Sequence, residues 1–151
     1  MLRKPRRGWW VVPGGKVEAT ETWPEAVTRE VWEETGLTVN GLTLRGVHRI
    51  RIEEQDGQMK DRLIAQFSAL EATGQMLEEC KEGKLDTIDL DNFASLPMDE
   101  GDRIMIQHAL ASVHRGQSEI YFGKFTYTLD HQLVSYQISP QLPIPTVTAT
   151  E

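Results

Sequence analysis

The feature that most narrows what this chain can fold into is a helix signal with both ends marked, set directly behind a strand and a glycine turn. Thr22-Trp23-Pro24-Glu25 joins a capping-box pattern, threonine then glutamate three residues later, to a proline in the first turn, where a missing N–H does no harm. Gly36 follows Thr35 and can take the left-handed conformation that closes a helix. The pattern therefore predicts a helix over Trp23 to Thr35. Upstream, Gly8 to Val12 is aromatic and β-branched and stops at Pro13-Gly14-Gly15, which reads as a strand entering a tight turn.

Beyond this unit the pattern becomes β-like over Leu42 to Ile52 and Arg62 to Leu70. Leu63, Ala65, Phe67 and Ala69 are expected on one face, and Asp56-Gly57 suits the connecting hairpin. Gly74 to Lys84 reads as a polar, acidic loop, with a short strand or turn at Leu85 to Ile88. Asp99 to His114 predicts a helix with a buried stripe of Ile104, Ile106, Ala109, Leu110 and Val113. A last hairpin is expected over Glu119 to Ile138, with Tyr121, Phe125, Tyr127 and Leu129 on one side and a turn at Asp130-His131-Gln132. The segment from Ser139 to Glu151 is rich in proline and threonine and is expected to form a disordered tail behind a domain of residues 1–138.

With 151 residues and 39% hydrophobic content, the chain has material for one core and not for two. Its net charge of −7 argues against stable binding to duplex nucleic acid or an anionic membrane. Cys80 is the only cysteine, so no intrachain disulfide can form and a thiol-ligated zinc site is excluded. No apolar run approaches the roughly 20 residues that span a bilayer. These readings predict a cytoplasmic protein without a membrane partner.

Chemistry concentrates in the capped helix. Side chains three and four apart lie one above another, so Glu30, Glu33 and Glu34 project from one face. Two unit charges about 6 Å apart repel by roughly 3 kcal/mol at an effective dielectric near 20, and a third carboxylate compounds this. A counter-charge is required, and a hard divalent cation with oxygen ligands, Mg²⁺ above all, satisfies it while leaving positions for water and phosphate oxygens. Arg29 can hold a glutamate in a bidentate pair, and Gly14 and Gly15 allow close backbone approach.

Gly15, Glu21, Arg29, Glu30, Val31, Glu33, Glu34, Gly36 and Leu37 together match every fixed position of the Nudix box, and the chain resembles that family. The resemblance implies an α/β fold, an α/β/α sandwich with a mixed central sheet. It implies that Glu30, Glu33, Glu34 and the Gly15 carbonyl hold Mg²⁺, for which Mn²⁺ can substitute. Glu30 would be a ligand or the base that activates water, with Arg29 and Glu21 orienting the cluster. An additional carboxylate is expected from a later loop, with Glu82 first and Glu79 second. The run from Gly8 to Glu18 resembles MutT-type nucleotide hydrolases, often described as 8-oxo-dGTP diphosphatases. The activity implied is hydrolysis of a nucleoside triphosphate to monophosphate and pyrophosphate. Alarmones, dinucleotides, nucleotide sugars and triphosphorylated RNA ends remain open, as does a non-catalytic nucleotide-binding module.

Lys16, Arg3 and Arg7 are expected to grip the nucleotide's phosphates, and Trp10 to stack on its base. Trp32, in a variable slot of the box, is expected to pack in the core or at its rim. The four histidines share no metal-ligand spacing and are expected to be structural or exposed. Relatives open with a strand and hairpin before the basic segment, whereas Met1 to Lys4 corresponds to the end of that hairpin. The first strand is therefore expected to be lacking, and a homodimer partner or another segment would cover the sheet edge.

Overall fold

A computed structural model describes residues 1–142. A short hairpin comes first, β1 (Leu2–Arg3) with β2 (Trp10–Val11), followed by α1 (Trp23–Thr35), β3 (Leu37–Asn40), β4 (Thr43–Glu53) and β5 (Met59–Ser68). Then come β6 (Glu71–Gly74), β7 (Glu79–Cys80), β8 (Gly83–Leu85), α2 (Leu90–Phe93), α3 (Glu100–His114), β9 (Tyr121–Tyr127) and β10 (Leu133–Ser139). The central sheet has the order β10-β9-β4-β5 and is mixed, because β4 and β9 run parallel while the other pairs are antiparallel. A second sheet, β2-β1-β8-β7, holds the amino-terminal strands, and β3 pairs with β6. The fold is the mixed α/β architecture expected.

α3 organises the core because it is buried on two sides. Ile104 and Met105 pack on Ile50, Phe125 and Tyr127 of the mixed sheet. On its other side, Ile106 joins Phe93 and Met98, and Met1, Trp10, Leu96 and Leu110 pack against them. The single expected stripe was therefore too narrow. Val113 is exposed, while His108 and Ser112 are buried. Their polar atoms are satisfied locally, His108 Nδ1 by the Ile104 carbonyl at 2.7 Å and Ser112 Oγ by the Gln117 carbonyl at 3.0 Å. Asp99 caps the helix through the Gly101 N–H at 2.9 Å and accepts a bond from the Tyr127 hydroxyl at 2.5 Å.

Several expectations change once strands acquire neighbours. Gly74 to Lys84 is not a plain loop: Glu79–Cys80 and Gly83–Leu85 form a small antiparallel hairpin, which pairs with β1 through Arg3↔Lys84 and Leu2↔Leu85. Leu63 is 69% exposed despite its apolar alternation, because β5 is an edge strand and Leu63 lies on the face away from α3. Tyr121, Phe125 and Tyr127 are core residues, whereas Leu129 lies past the end of β9 and is exposed. Trp32 is exposed at 60%, on the outer side of α1 beside Pro24 and Thr28, and does not pack in the core. The strand β10 runs through Ser139, one residue past the expected domain boundary, and residues 143–151 of the expected tail lie outside the described residues. Among the described residues, no helix is long and apolar enough to cross a membrane.

One buried group had no sequence signal. His48 is completely buried on the α3 side of β4, beside Phe125 and His108, and neither ring nitrogen has a hydrogen-bond partner. Glycines make room for it: an added Cβ would come within 2.3 Å of Nε2 at Gly46 and 2.5 Å of Nδ1 at Gly123. Burial pushes the imidazole down to about 4, so it is neutral across the physiological range.

Candidate active site

The site is assembled on α1, whose ends are set as its sequence requires. Thr22 and Glu25 close a reciprocal capping box, with the Thr22 N–H donating to Glu25 Oε2 at 2.8 Å. At the other end Gly36 has φ 76° and donates its N–H to the Trp32 carbonyl at 2.8 Å. A Cβ there would lie 2.9 Å from the Gln75 carbonyl, so both conformation and space select glycine. With both ends fixed, the rotational phase of the acidic face is fixed too.

Arg29 is the centre of the cluster. Its Nε and one terminal nitrogen bind the two oxygens of Glu21 at 2.5 and 3.0 Å, a fork-to-fork pair, and that same nitrogen donates to the Lys16 carbonyl at 3.0 Å. The other terminal nitrogen is shared between Glu30 at 2.9 Å and Glu33 at 3.3 Å. Glu21 is in turn fixed by the Glu18 N–H at 3.0 Å. These bonds, Arg29 first and then Glu18, hold the Glu21 carboxyl below the usual carboxylate range. The Glu21 and Glu30 carboxylates keep the guanidinium charged beyond its already high value.

The glycine turn closes over the helix. The Gly14 N–H donates to Glu34 Oε2 at 3.0 Å. A Cβ on Gly15 would lie 2.1 Å from Glu30 Oε1, so the backbone passes the carboxylate at a distance only glycine allows. The Glu34 carboxyl is raised above the usual carboxylate range, by burial first. The Gly14 bond and the Lys4 charge oppose that shift, and the charges of Glu30 and Glu82 add to it. The Glu82 carboxyl is held low by its ion pair with the Lys4 ammonium.

The donor set suits a hard cation: carboxylate oxygens, a backbone held close by Gly15, and no nitrogen or sulfur ligand. Among the described residues no three acidic, imidazole or thiol side chains are closed into a ligand group, and Arg29 engages Glu30 and Glu33 directly. That guanidinium bonds two of the three acids whose spacing demands a counter-charge, and not Glu34, which takes the Gly14 N–H instead.

The remaining sequence-derived residues are distributed unevenly. Lys16 contributes its carbonyl to Arg29, while the residue is exposed. Arg7 stacks over the Trp9 ring at 4.8 Å, and Arg3 lies exposed in β1 with its carbonyl against Gly83. Trp10 is half-buried and packs against the Phe93, Met98 and Ile106 cluster. Glu79 is exposed in β7, opposite Lys84. Lys4 was missed. Nothing in its sequence context separates it from its basic neighbours, and only the pairing of β1 with β8 brings it to Glu82.

Comparison with known proteins agrees with this geometry. The NUDIX domain family model matches residues 2–109. An uncharacterized Nudix hydrolase of Bacillus subtilis, YvcI, is 40% identical over 141 residues, covering 93% of this chain and 86% of that protein. An ADP-ribose pyrophosphatase of Methanocaldococcus jannaschii is 34% identical over 96 residues, 63% of this chain and 54% of that protein. The crystal structure of a mutator MutT protein from Bacillus halodurans superposes with a TM-score of 0.84 at 41% identity, covering 93% of this chain and 89% of that chain. With the box residues gathered around Arg29 and the family matched over most of its length, the chain belongs to the Nudix hydrolases and is a pyrophosphohydrolase of MutT-like fold.

Proposed function

We propose that the chain is a cytoplasmic, Mg²⁺-dependent enzyme that cleaves a nucleoside triphosphate, with 8-oxo-dGTP the leading candidate, to the monophosphate and pyrophosphate. The observation that carries this reading is the Arg29 hub: one guanidinium, locked by Glu21, positions Glu30 and Glu33 on the face where Gly14 holds Glu34. Glu30, Glu33, Glu34 and the Gly15 backbone would hold the cation, with Glu82 adding a further oxygen. When bound, Mg²⁺ supplies charge stabilisation to the bridging and leaving phosphate oxygens. Glu30, pressed against Gly15, would serve either as a further ligand or as the base that takes a proton from the attacking water. Arg29 and Glu21 keep that carboxylate in one rotamer, and Lys16 and Arg3 supply cations for the triphosphate.

A second substrate class is favoured by one observation, the likeness to a relative named as an ADP-ribose pyrophosphatase. Kinetics with Mg²⁺ over 8-oxo-dGTP, dGTP, ATP, ADP-ribose, a dinucleotide and a triphosphorylated RNA, with product identification, decide between them. Pyrophosphate release from a triphosphate is the expected result. Nucleotide binding without turnover in either Mg²⁺ or Mn²⁺ refutes the assignment.

A further inference from the structure

We propose that Lys4 is a positioning residue that holds the Glu82 carboxylate beside the acidic edge of α1, making Glu82 part of the cation site; this rests on the metal-dependent reading above. The Lys4 ammonium bonds Glu82 Oε2, linking residues 78 positions apart. Its backbone is clamped at both ends, since the Lys4 N–H donates to the Trp9 carbonyl at 2.8 Å and the Lys4 carbonyl accepts from the Gly8 N–H at 2.9 Å. The ammonium is therefore presented from a fixed base.

Glu82 occupies the turn of the β7–β8 hairpin, and its N–H donates to Cys80 Sγ at 3.3 Å. That hairpin closes on β1 only because residue 83 is glycine: its φ is +145°, and a Cβ would lie 2.1 Å from the Arg3 carbonyl oxygen. Lys4 follows Arg3 and Glu82 precedes Gly83, so the ion pair sits at one end of the β1–β8 ladder. The segment entering the hairpin is tied to the end of α1 by the Leu77 N–H, which donates to the Thr35 carbonyl at 2.9 Å, and β2, paired with β1, leads to Gly14, whose N–H holds Glu34 Oε2 at 3.0 Å; that end of the ladder therefore lies against the helix.

A lysine beside a cation site can act in two ways with opposite signs. If only its charge matters, removing it relieves repulsion and tightens cation binding. If it works by holding Glu82 in place, removing it frees the carboxylate and loosens binding, as loss of an outer-shell partner does.

The experiment is a Mn²⁺ titration of the nucleotide-free protein, reading free Mn²⁺ by electron paramagnetic resonance, on wild type, Lys4→Met, Lys4→Arg, Glu82→Gln and the Lys4→Met/Glu82→Gln double variant. Lys4→Met and Glu82→Gln are each expected to weaken Mn²⁺ binding about tenfold. The double variant should be no weaker than Glu82→Gln alone, and Lys4→Arg should restore most of the loss. Tighter or unchanged binding in Lys4→Met, or additive losses in the double variant, overturns the proposal. Thermal melts of all variants identify any loss that comes from unfolding, and Glu82→Gln probes the same contact from its other end. If wild type binds Mn²⁺ and Glu34→Gln abolishes binding while Lys4→Met leaves it unchanged, this inference alone fails. If wild type binds no Mn²⁺, the metal-dependent reading fails with it.

Discussion

Replacing His48 by leucine should remove most of the acid sensitivity contributed by the interior. In the folded protein its imidazole is pushed down to about 4 from an ordinary 6.5, by burial first and by nearby His108 in addition. The unfolded chain therefore takes up a proton near pH 6.5 that the native state refuses until about pH 4. The sign is fixed: above the unfolded value this group adds no pH dependence, and stability is lost as pH falls through the window between the two. At about 1.4 kcal/mol for each pH unit, the full window is worth about 3 kcal/mol. Asp102 acts in the opposite direction over nearly the same range. Its carboxyl is raised to about 6 by burial and then by Asp99, so it gains stability as pH falls. A wild-type profile alone would mix the two. The difference between wild type and His48→Leu, measured by urea unfolding at several values from about pH 7.5 to about pH 4.5, cancels the Asp102 contribution. That difference should move toward the variant by about 2–3 kcal/mol across the range. A flat difference would refute the claim that His48 is folded as an unpartnered neutral ring between Gly46 and Gly123.

Gly15→Ala drives a methyl group into Glu30 Oε1, so kcat/KM should fall about a hundredfold with the melting temperature nearly unchanged. Retention of near wild-type turnover would remove Glu30 from the chemistry. Gly101→Ala places a Cβ 1.9 Å from the Tyr127 hydroxyl and should break its bond to Asp99, destabilising the domain by about 1–3 kcal/mol in urea unfolding. Asp102→Asn should stabilise the protein at neutral pH by about 1–3 kcal/mol, and the gain should vanish near pH 4, where the native carboxyl is already protonated. Equal stabilisation at both extremes would show that desolvation of Asp102 is not its cause.

The parts of the fold that were legible are those governed by neighbours in sequence. Helix α1 runs from Trp23 to Thr35, the limits that Thr22, Pro24 and Gly36 predicted, because capping is decided within a few residues. The β4–β5 turn lies at Asp56-Gly57, where Gly57 has φ +78°. Failures fell where burial depends on what lies across space. Leu63 alternates like a core residue yet faces solvent from an edge strand, and α3 buries two sides because a second cluster, built on Phe93 and Met98, packs behind it. The 79–85 hairpin was invisible because its strands are too short to show a period, and β1 supplies their pairing.

At the site the division is similar. Sequence alone determined that Glu30, Glu33 and Glu34 share a helix face beside Arg29, since helical spacing is a local property and three unrelieved carboxylates demand a counter-charge. Only the tertiary structure decided which groups meet that demand. It turned Arg29 inward to Glu21, passed Gly15 over Glu30, and brought Lys4 and Glu82 together across half of the chain's length. The physical reason is reach: capping and helical periodicity act within a few residues, whereas an ion pair 78 positions apart exists only after strand pairing has closed the loop between its ends.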